Sequence, residues 1–398
     1  MHTQEEKQLL TIQTLHFFSW ALANIFLQVF LFRLVGLRQV ILFQLATYAS
    51  LLIFYLASGW ILKRFSSRTL VRLGLLLLSI SWSSLVVLKE KSGFYLIPLG
   101  IIFGAGYGNF WSGFNLSQYI LIQQDKRESY FGKSFGFTNI AAAIGPFLGG
   151  LLIVAGNFLF AWDFAGYYLL FLLVFVLNLG NFLLAARLPR HSGIDFSFRH
   201  ILAHKREPAW KLVLVQQFIL GLYDVAFGLL VGILIFLIVK SEATLGGVNT
   251  IMALLTAGSS FFAASLLLRH KNWFWLGSFG ISLGILSFAV FPNWWGIVLL
   301  GLFSGLAWPF LNIPLSVAIL ATIDKNRDAW QKKYHMFIER DGMLAAARVL
   351  NYLLLYFLLS GANEVSLARF WMLGIVLLPI VLGVLLTLSE QKIGPQAG

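Results

Sequence analysis

No cysteine occurs in the 398 residues, which excludes disulfide frameworks, thiolate metal sites and cysteine nucleophiles. Charge is almost as scarce. Asp, Glu, Lys and Arg make up 11% of the chain against 59% hydrophobic residues, and the mean hydropathy is +0.82. Soluble domains carry about 25% charged and roughly 45–50% apolar residues. A water-soluble fold of this length could not hide so much apolar surface, so the chain reads as a polytopic membrane protein. Acids are the scarcest charge, 16 against 29 Lys and Arg, for a formal net charge of +13. That excess could suggest nucleic acid, but its placement along the chain assigns it to topology and to attraction for membrane lipids, and no nucleic-acid partner is expected.

What the chain has in quantity is apolar runs. A membrane-crossing helix needs roughly 20 mostly apolar residues, and twelve stretches qualify: 12–32, 40–62, 70–88, 95–121, 133–157, 164–186, 211–239, 245–268, 273–291, 295–322, 343–360 and 366–388. They are continuously apolar rather than alternating, which argues against a barrel. The first is too long for a signal-peptide core and has no small-residue cleavage site behind it, so it is expected to stay. With the N-terminus inside, 22 of the 29 Lys and Arg fall in cytoplasmic segments and six outside. This positive-inside bias places both termini in the cytoplasm, and the expected location is a bacterial cell membrane. The interior segment 187–210, with Pro189, Gly193 and Pro208, divides the chain into an N-terminal half (1–186), a cytoplasmic linker and a C-terminal half (211–398). Within the linker, Phe196, Phe198, Ile201 and Leu202 beside Arg199 and Lys205 suggest a short interfacial helix. His191, His200 and His204 lack a cysteine or a close carboxylate pair and read as solvated linker residues rather than metal ligands.

The halves repeat. Gly104, Gly108, Trp111 and Asn115 in the fourth span recur at the same spacing as Gly301, Gly305, Trp308 and Asn312 in the tenth. Asp125-Lys126 is echoed by Asp324-Lys325, and laying the first span on the seventh superposes Leu22 on Leu222 and Asn24 on Asp224. The offsets agree closely across three places. Two related six-helix halves are a transporter architecture, in which the halves rock about a central site.

Two local motifs then resemble those of the major facilitator superfamily. After the second span, Gly59-Trp60-Ile61-Leu62-Lys63-Arg64-Phe65-Ser66-Ser67-Arg68 is similar to that family's G-x-L-a-D-R-x-G-R-R loop, with Lys63 where the acid belongs and Ser66 where a glycine belongs. In the fifth span, Gly132, Ala141, Gly145, Pro146, Gly149 and Gly150 resemble the export-associated pattern G-x8-G-x3-G-P-x2-G-G, departing only at Ala141. The resemblance covers essentially the whole chain, and it extends to little-characterised transporters of Gram-positive bacteria. It implies an all-α fold of twelve transmembrane helices in two pseudo-symmetric halves, with the first, fourth, seventh and tenth helices lining the cavity. The mid-helix arginine usual in the fourth helix of proton-coupled drug exporters is missing, and Asn109, Asn115 and Gln118 are the polar residues there.

Among the sixteen acids, Asp224 alone sits well inside a span. An ionised carboxylate there costs about 2.5–3.5 kcal/mol on insertion scales, so it must pair, face water or hold a proton. Asp224 is the expected proton site. Asn24, Asn115 and Asn312, with Trp111 and Trp308, are the expected companions for substrate. Gly145, Pro146, Gly149 and Gly150 make a bent helix with one flat face, suited to close packing and to gating. Arg348, near the inner end of the eleventh span, reads as a snorkelling structural clamp, with Glu339, Arg340 and Asp341 as possible partners. In the family the loop acid tends to lie against the start of the eleventh helix. With Lys63 in its place, the resemblance implies a reversed pair with Glu339 or Asp341, in a gating group that also holds Gly59, Arg64 and Arg68. His16 reads as an interfacial residue near the inner end of the first span.

Enzyme chemistry finds little support. Gly132-Lys133-Ser134 imitates the end of a P-loop, but Arg127 stands where the first glycine belongs and no strand precedes it; H-E-x-x-H is absent. No metal or cofactor is expected. The pattern as a whole points to a secondary active transporter. The expected activity is proton-coupled export of an apolar, amphipathic or lipid-like small molecule by alternating access. The alternative is a transporter-shaped scaffold that acts through partners, for example in envelope assembly.

Overall fold

A computed structural model of the protein describes residues 3–122, 127–203, 205–326, 330–359 and 363–393. Asp125, Lys126, His204, Arg327 and Asp328 lie outside the described residues. Local signals set the first boundaries. Thr3 caps the first helix through a reciprocal box, its Oγ1 accepting from Glu6 N–H at 3.2 Å while its own N–H donates to Glu6 Oε2 at 2.9 Å. Helix α1 (Gln4–Val35) therefore begins earlier than the apolar run that marks it, and it ends at Gly36, whose φ of 82° few other residues adopt readily. Five more helices complete the first half: α2 (Leu37–Arg64), α3 (Ser67–Leu88, capped by the Ser66 side chain), α4 (Leu96–Leu121), α5 (Arg127–Phe160) and α6 (Ala165–Leu184). The short α7 (Phe198–Ala203) lies in the linker. The second half comprises α8 (Pro208–Val239), α9 (Glu242–Arg269), α10 (Phe274–Val290), α11 (Trp294–Lys325), α12 (Trp330–Leu358), α13 (Glu364–Ile375) and α14 (Leu378–Ile393). The described residues contain no strand.

Among the described residues, ten helical segments are long and apolar enough to cross a membrane. Two more spans fall short for visible reasons. Five glycines and two asparagines dilute α4, and α10 has only 17 residues.

The chain divides into two compact units, Met1–Phe196 with Val239–Thr250, and Ser197–Ile238 with Ile251–Gly398. In the first, α4 packs against α2 and α3, α1 against α5 and α6, and α3 against α6. In the second, α10 packs against α11, α13 and α14. The repeated glycines serve one purpose in each unit. Gly104 and Gly108 meet the Thr47 and Leu51 carbonyls of α2, while Gly301 and Gly305 meet Met252 and Leu255 of α9. The repeat is thus a repeated helix–helix contact of the fourth span on the second and of the tenth on the eighth.

Three expectations are corrected. The eleventh span is part of α12, which begins at Trp330, so Glu339, Arg340 and Asp341 lie inside the helix rather than ahead of it, and Arg348 sits in mid-helix. The twelfth span is two helices: Pro379 has no N–H to offer the Ile375 carbonyl, and the chain turns at 376–377 between α13 and α14. The start of the linker packs on the first half, so His191, read as solvated, is half-buried. Phe196 is buried against Gly59 and Trp60 of α2, and the His191 carbonyl accepts from Ser67 N–H at 2.8 Å.

Candidate functional site

The seventh span carries its acid where two helices come unusually close. A Cβ at Gly221 of α8 would stand 2.4 Å from the Leu344 carbonyl oxygen and 2.8 Å from the Ala347 Cβ of α12. One turn on, the short Asp224 side chain reaches Arg348. Arg348 Nε donates to Asp224 Oδ1 at 3.3 Å, and Nη2 donates to Oδ2, giving the two-pronged geometry that suits guanidinium and carboxylate. Asn351 Nδ2 caps the arrangement by donating to the Leu222 carbonyl. Side-chain exposure is 19% for Arg348 and 21% for Asp224, so the pair is not sealed inside the unit. Aromatic rings flank it: Tyr223, buried, stacks on Phe227 at 5.2 Å and lies 6.3 Å from Trp308 of α11. Asn312, one turn beyond Trp308, is part-buried.

The first unit holds the counterpart. Trp111 of α4 packs edge-on against His16 of α1 at 5.5 Å, whereas Trp308 meets Tyr223 at a tilt of 35°. His16 is no interfacial residue. It is 4% exposed, stacks on Phe110 at 3.9 Å, and its Nδ1 is buried with no hydrogen-bond partner among the described residues. Asn115 Nδ2 donates to the Tyr55 hydroxyl at 3.3 Å, and Asn24 is part-buried on α1.

The fifth-span glycines lie against two helices. Gly145 meets Ala21 and Leu22 of α1, Gly149 meets Leu22 and Phe26, and Gly150 meets the Glu242 carbonyl of α9. The Pro146 carbonyl faces Gly246. Beside this seam is an ion pair that sequence patterning missed. Glu242 Oε1 accepts from Arg33 Nη1 at 3.0 Å and from the Tyr167 hydroxyl at 2.8 Å, joining α1, α6 and the start of α9. Both charges fall at span ends, where they look like ordinary flanking residues; only packing brings them together.

Each residue expected at the gate is described within its own unit. Glu339 is buried and Oε2 accepts from Arg206 Nε at 3.1 Å and Trp210 Nε1 at 2.7 Å. Asp341 accepts a two-pronged bond from Arg340, at 2.7 and 2.8 Å. Lys63 is exposed in the last turn of α2, next to Arg64. Arg68 is fixed to the linker, its Nη1 donating to the Ala186 and Leu188 carbonyls at 2.9 and 3.2 Å. The His191 ring lies 3.4 Å from Ser67 Oγ, and burial pulls its pKa below the ordinary histidine value against an opposing pull from Glu5. Among the described residues, no group of three or more His, Cys, Asp or Glu could hold a metal ion.

The profile of the Major Facilitator Superfamily matches residues 9–329. The uncharacterized protein YqgE of Bacillus subtilis (strain 168) is 25% identical over 358 residues, covering 87% of this chain and 80% of that one. The E. coli fucose:proton symporter FucP superposes with a TM-score of 0.65 at 18% identity, over 98% of this chain and 100% of that one. The peptide transporter POT, in complex with sulfate, superposes at 0.70 with 14% identity, over 99% and 95%. At these identities the superpositions establish the fold.

Proposed function

The chain belongs to the Major Facilitator Superfamily as a multi-span membrane transporter, and from that premise we propose that it is a proton-coupled exporter of an apolar or amphipathic solute, lipid-like molecules included. The observation that carries this is the Asp224–Arg348 pair. A guanidinium is always charged, so the state of the site depends on the carboxylate. With Asp224 ionised, Arg348 is engaged. A proton on Asp224 removes one charge and releases the guanidinium for a polar group of the solute. Proton and solute thus compete for one ion pair, and each biases the conformational equilibrium according to its preference between the two arrangements. The partial exposure of both side chains supports this role over a purely structural clamp.

Three further features support the finer reading. Phe227 and Trp308, both half-buried and both packed on Tyr223, supply flat apolar surface near the charged pair, as an amphipathic solute needs. The resemblance of the Gly145–Gly150 stretch to the export-associated pattern favours outward transport. Proton coupling occurs on this fold in the fucose:proton symporter. The charge bias supports both termini in the cytoplasm of a bacterial cell membrane, which sets Arg33, Tyr167 and Glu242 at the outer end. There they act as a latch holding the start of α9 on α5.

The test is uphill transport in everted membrane vesicles energised by respiration, screened with a panel of fluorescent amphiphiles. Wild type should accumulate at least one of them until an uncoupler is added, and Asp224→Asn should not. Accumulation by the Asn variant equal to wild type would refute the coupling role.

A further inference from the structure

A second charged site lies where α2 passes into α3, and the transport cycle above makes no use of it. A cleft of about 560 Å³ opens between the ends of α2, α3 and α6 and the start of the linker. Four arginines line it: Arg64, Arg68, Arg72 and Arg190. No Asp or Glu is among the described lining residues. Crowded guanidinium groups repel one another unless an anion lies between them. The family resemblance places an acid in this loop. Here Lys63 occupies its position, so the cluster keeps its whole positive charge.

Two of the arginines are held in place. Arg68 is fixed by the Ala186 and Leu188 carbonyls. The Arg72 guanidinium lies over the Phe182 ring at 4.5 Å from its centroid, and its Nε is buried with no hydrogen-bond partner among the described residues. A buried charged donor without an acceptor is costly, and an anionic oxygen at that point would satisfy it. The N-terminus of the 22-residue α3 also opens at this cleft, through Ser66 and Thr69, adding a second source of positive potential.

The cleft is graded along α3. Arg68 and Arg72 occupy the first turns, and Leu73 and Leu76, each more than one-third exposed, continue the wall toward the apolar middle of the helix. A ligand that fits would carry its anion at the helix end and its apolar part further in. The geometry points to an anionic phospholipid: its phosphate is held by the guanidinium groups of Arg72 and Arg190, with Arg64 and Arg68 alongside, and its first chain carbons lie on Leu73 and Leu76. Arginine forks match phosphate oxygens two at a time, and basic pockets between membrane helices are suited to such headgroups.

The experiment is lipid retention by the full-length protein. Delipidated protein is exchanged into nanodiscs of mixed phosphatidylcholine and phosphatidylglycerol, re-extracted, and its bound lipid classes are quantified by mass spectrometry. Wild type should enrich phosphatidylglycerol several-fold, Arg72→Gln/Arg190→Gln should lose that enrichment, and Lys7→Gln, which removes an exposed charge outside the cleft, should retain it. A second measurement needs no variant. Short-chain phosphatidylglycerol should raise the melting temperature of the wild type above the level set by short-chain phosphatidylcholine, and inorganic phosphate should not. Equal lipid ratios in wild type and the double variant would overturn the assignment. So would inorganic phosphate stabilising as well as the lipid, which would identify a free-phosphate site instead.

Discussion

Replacing Asp224 by Asn keeps the size of the side chain and leaves the Arg348 charge without its carboxylate. Removing one partner of a fully buried ion pair costs about 3–5 kcal/mol, whereas exposed pairs are worth about 0.2–1 kcal/mol. With side chains about one-fifth exposed, the Asp224–Arg348 pair falls between these limits, at about 2 kcal/mol. For a cooperative unit of roughly 150–250 residues, 1 kcal/mol corresponds to about 2–4 °C in melting temperature, so a loss of roughly 4–8 °C is expected. The assay is a double-mutant cycle read by intrinsic tryptophan fluorescence during thermal unfolding in detergent. Asp224→Asn and Arg348→Gln should each destabilise, and the double variant should lose little more than either alone, a coupling of about 2 kcal/mol. The exchanged pair Asp224→Arg/Arg348→Asp should recover melting without recovering proton-coupled transport, because the proton site has moved to the other helix. Strictly additive losses in the cycle would refute the argument that the two side chains act as one unit.

Gly221→Val forces a side chain into the Leu344 and Ala347 contact, at a cost of about 1–3 kcal/mol. By spreading α8 from α12 it should also make a subsequent Asp224→Asn nearly neutral; an undiminished Asn effect in that background would show that the helix approach does not position the pair. Glu242→Gln should weaken the hold on the start of α9 by about 1 kcal/mol and raise maleimide labelling of an Ala143→Cys variant several-fold, since Ala143 is buried and its carbonyl accepts from Thr250 across this seam; unchanged labelling would contradict the latch. A Ser192→Cys variant, the only thiol in the chain, should react with a membrane-impermeant maleimide only after cells are permeabilised, and labelling of intact cells would reverse the proposed orientation.

The long helices were legible because continuous apolar runs of membrane-spanning length have few other uses, and Asp224 stood out because an acid inside such a run needs a reason. The family followed from spacing in the second-to-third loop and the fifth span. What escaped depended on charge inside helices and on packing. The stretch 330–342 carries Lys332, Lys333, Glu339, Arg340 and Asp341 and reads as a polar loop, yet it is the first part of α12. Read from residue 343, the eleventh span puts Arg348 near its inner end, where snorkelling is the simplest reading; in α12 it lies well inside the helix. Pro379 marks a break in the twelfth span that hydropathy alone smooths over. His16 is hidden by rings that come from α4, and the Arg33–Glu242–Tyr167 cluster joins residues far apart in the chain. Neither leaves a trace in local spacing.

The central claim, that solute movement is linked to proton movement through Asp224, is tested most directly in proteoliposomes of purified protein with a pH-sensitive dye in the lumen. A solute identified in the vesicle screen, added outside, should change the lumenal pH in wild-type proteoliposomes with no other energy source. The Asp224→Asn protein should leave the pH unchanged while still binding the solute. Solute transport with no proton signal in the wild type, or the same proton signal from the Asn variant, would contradict the account.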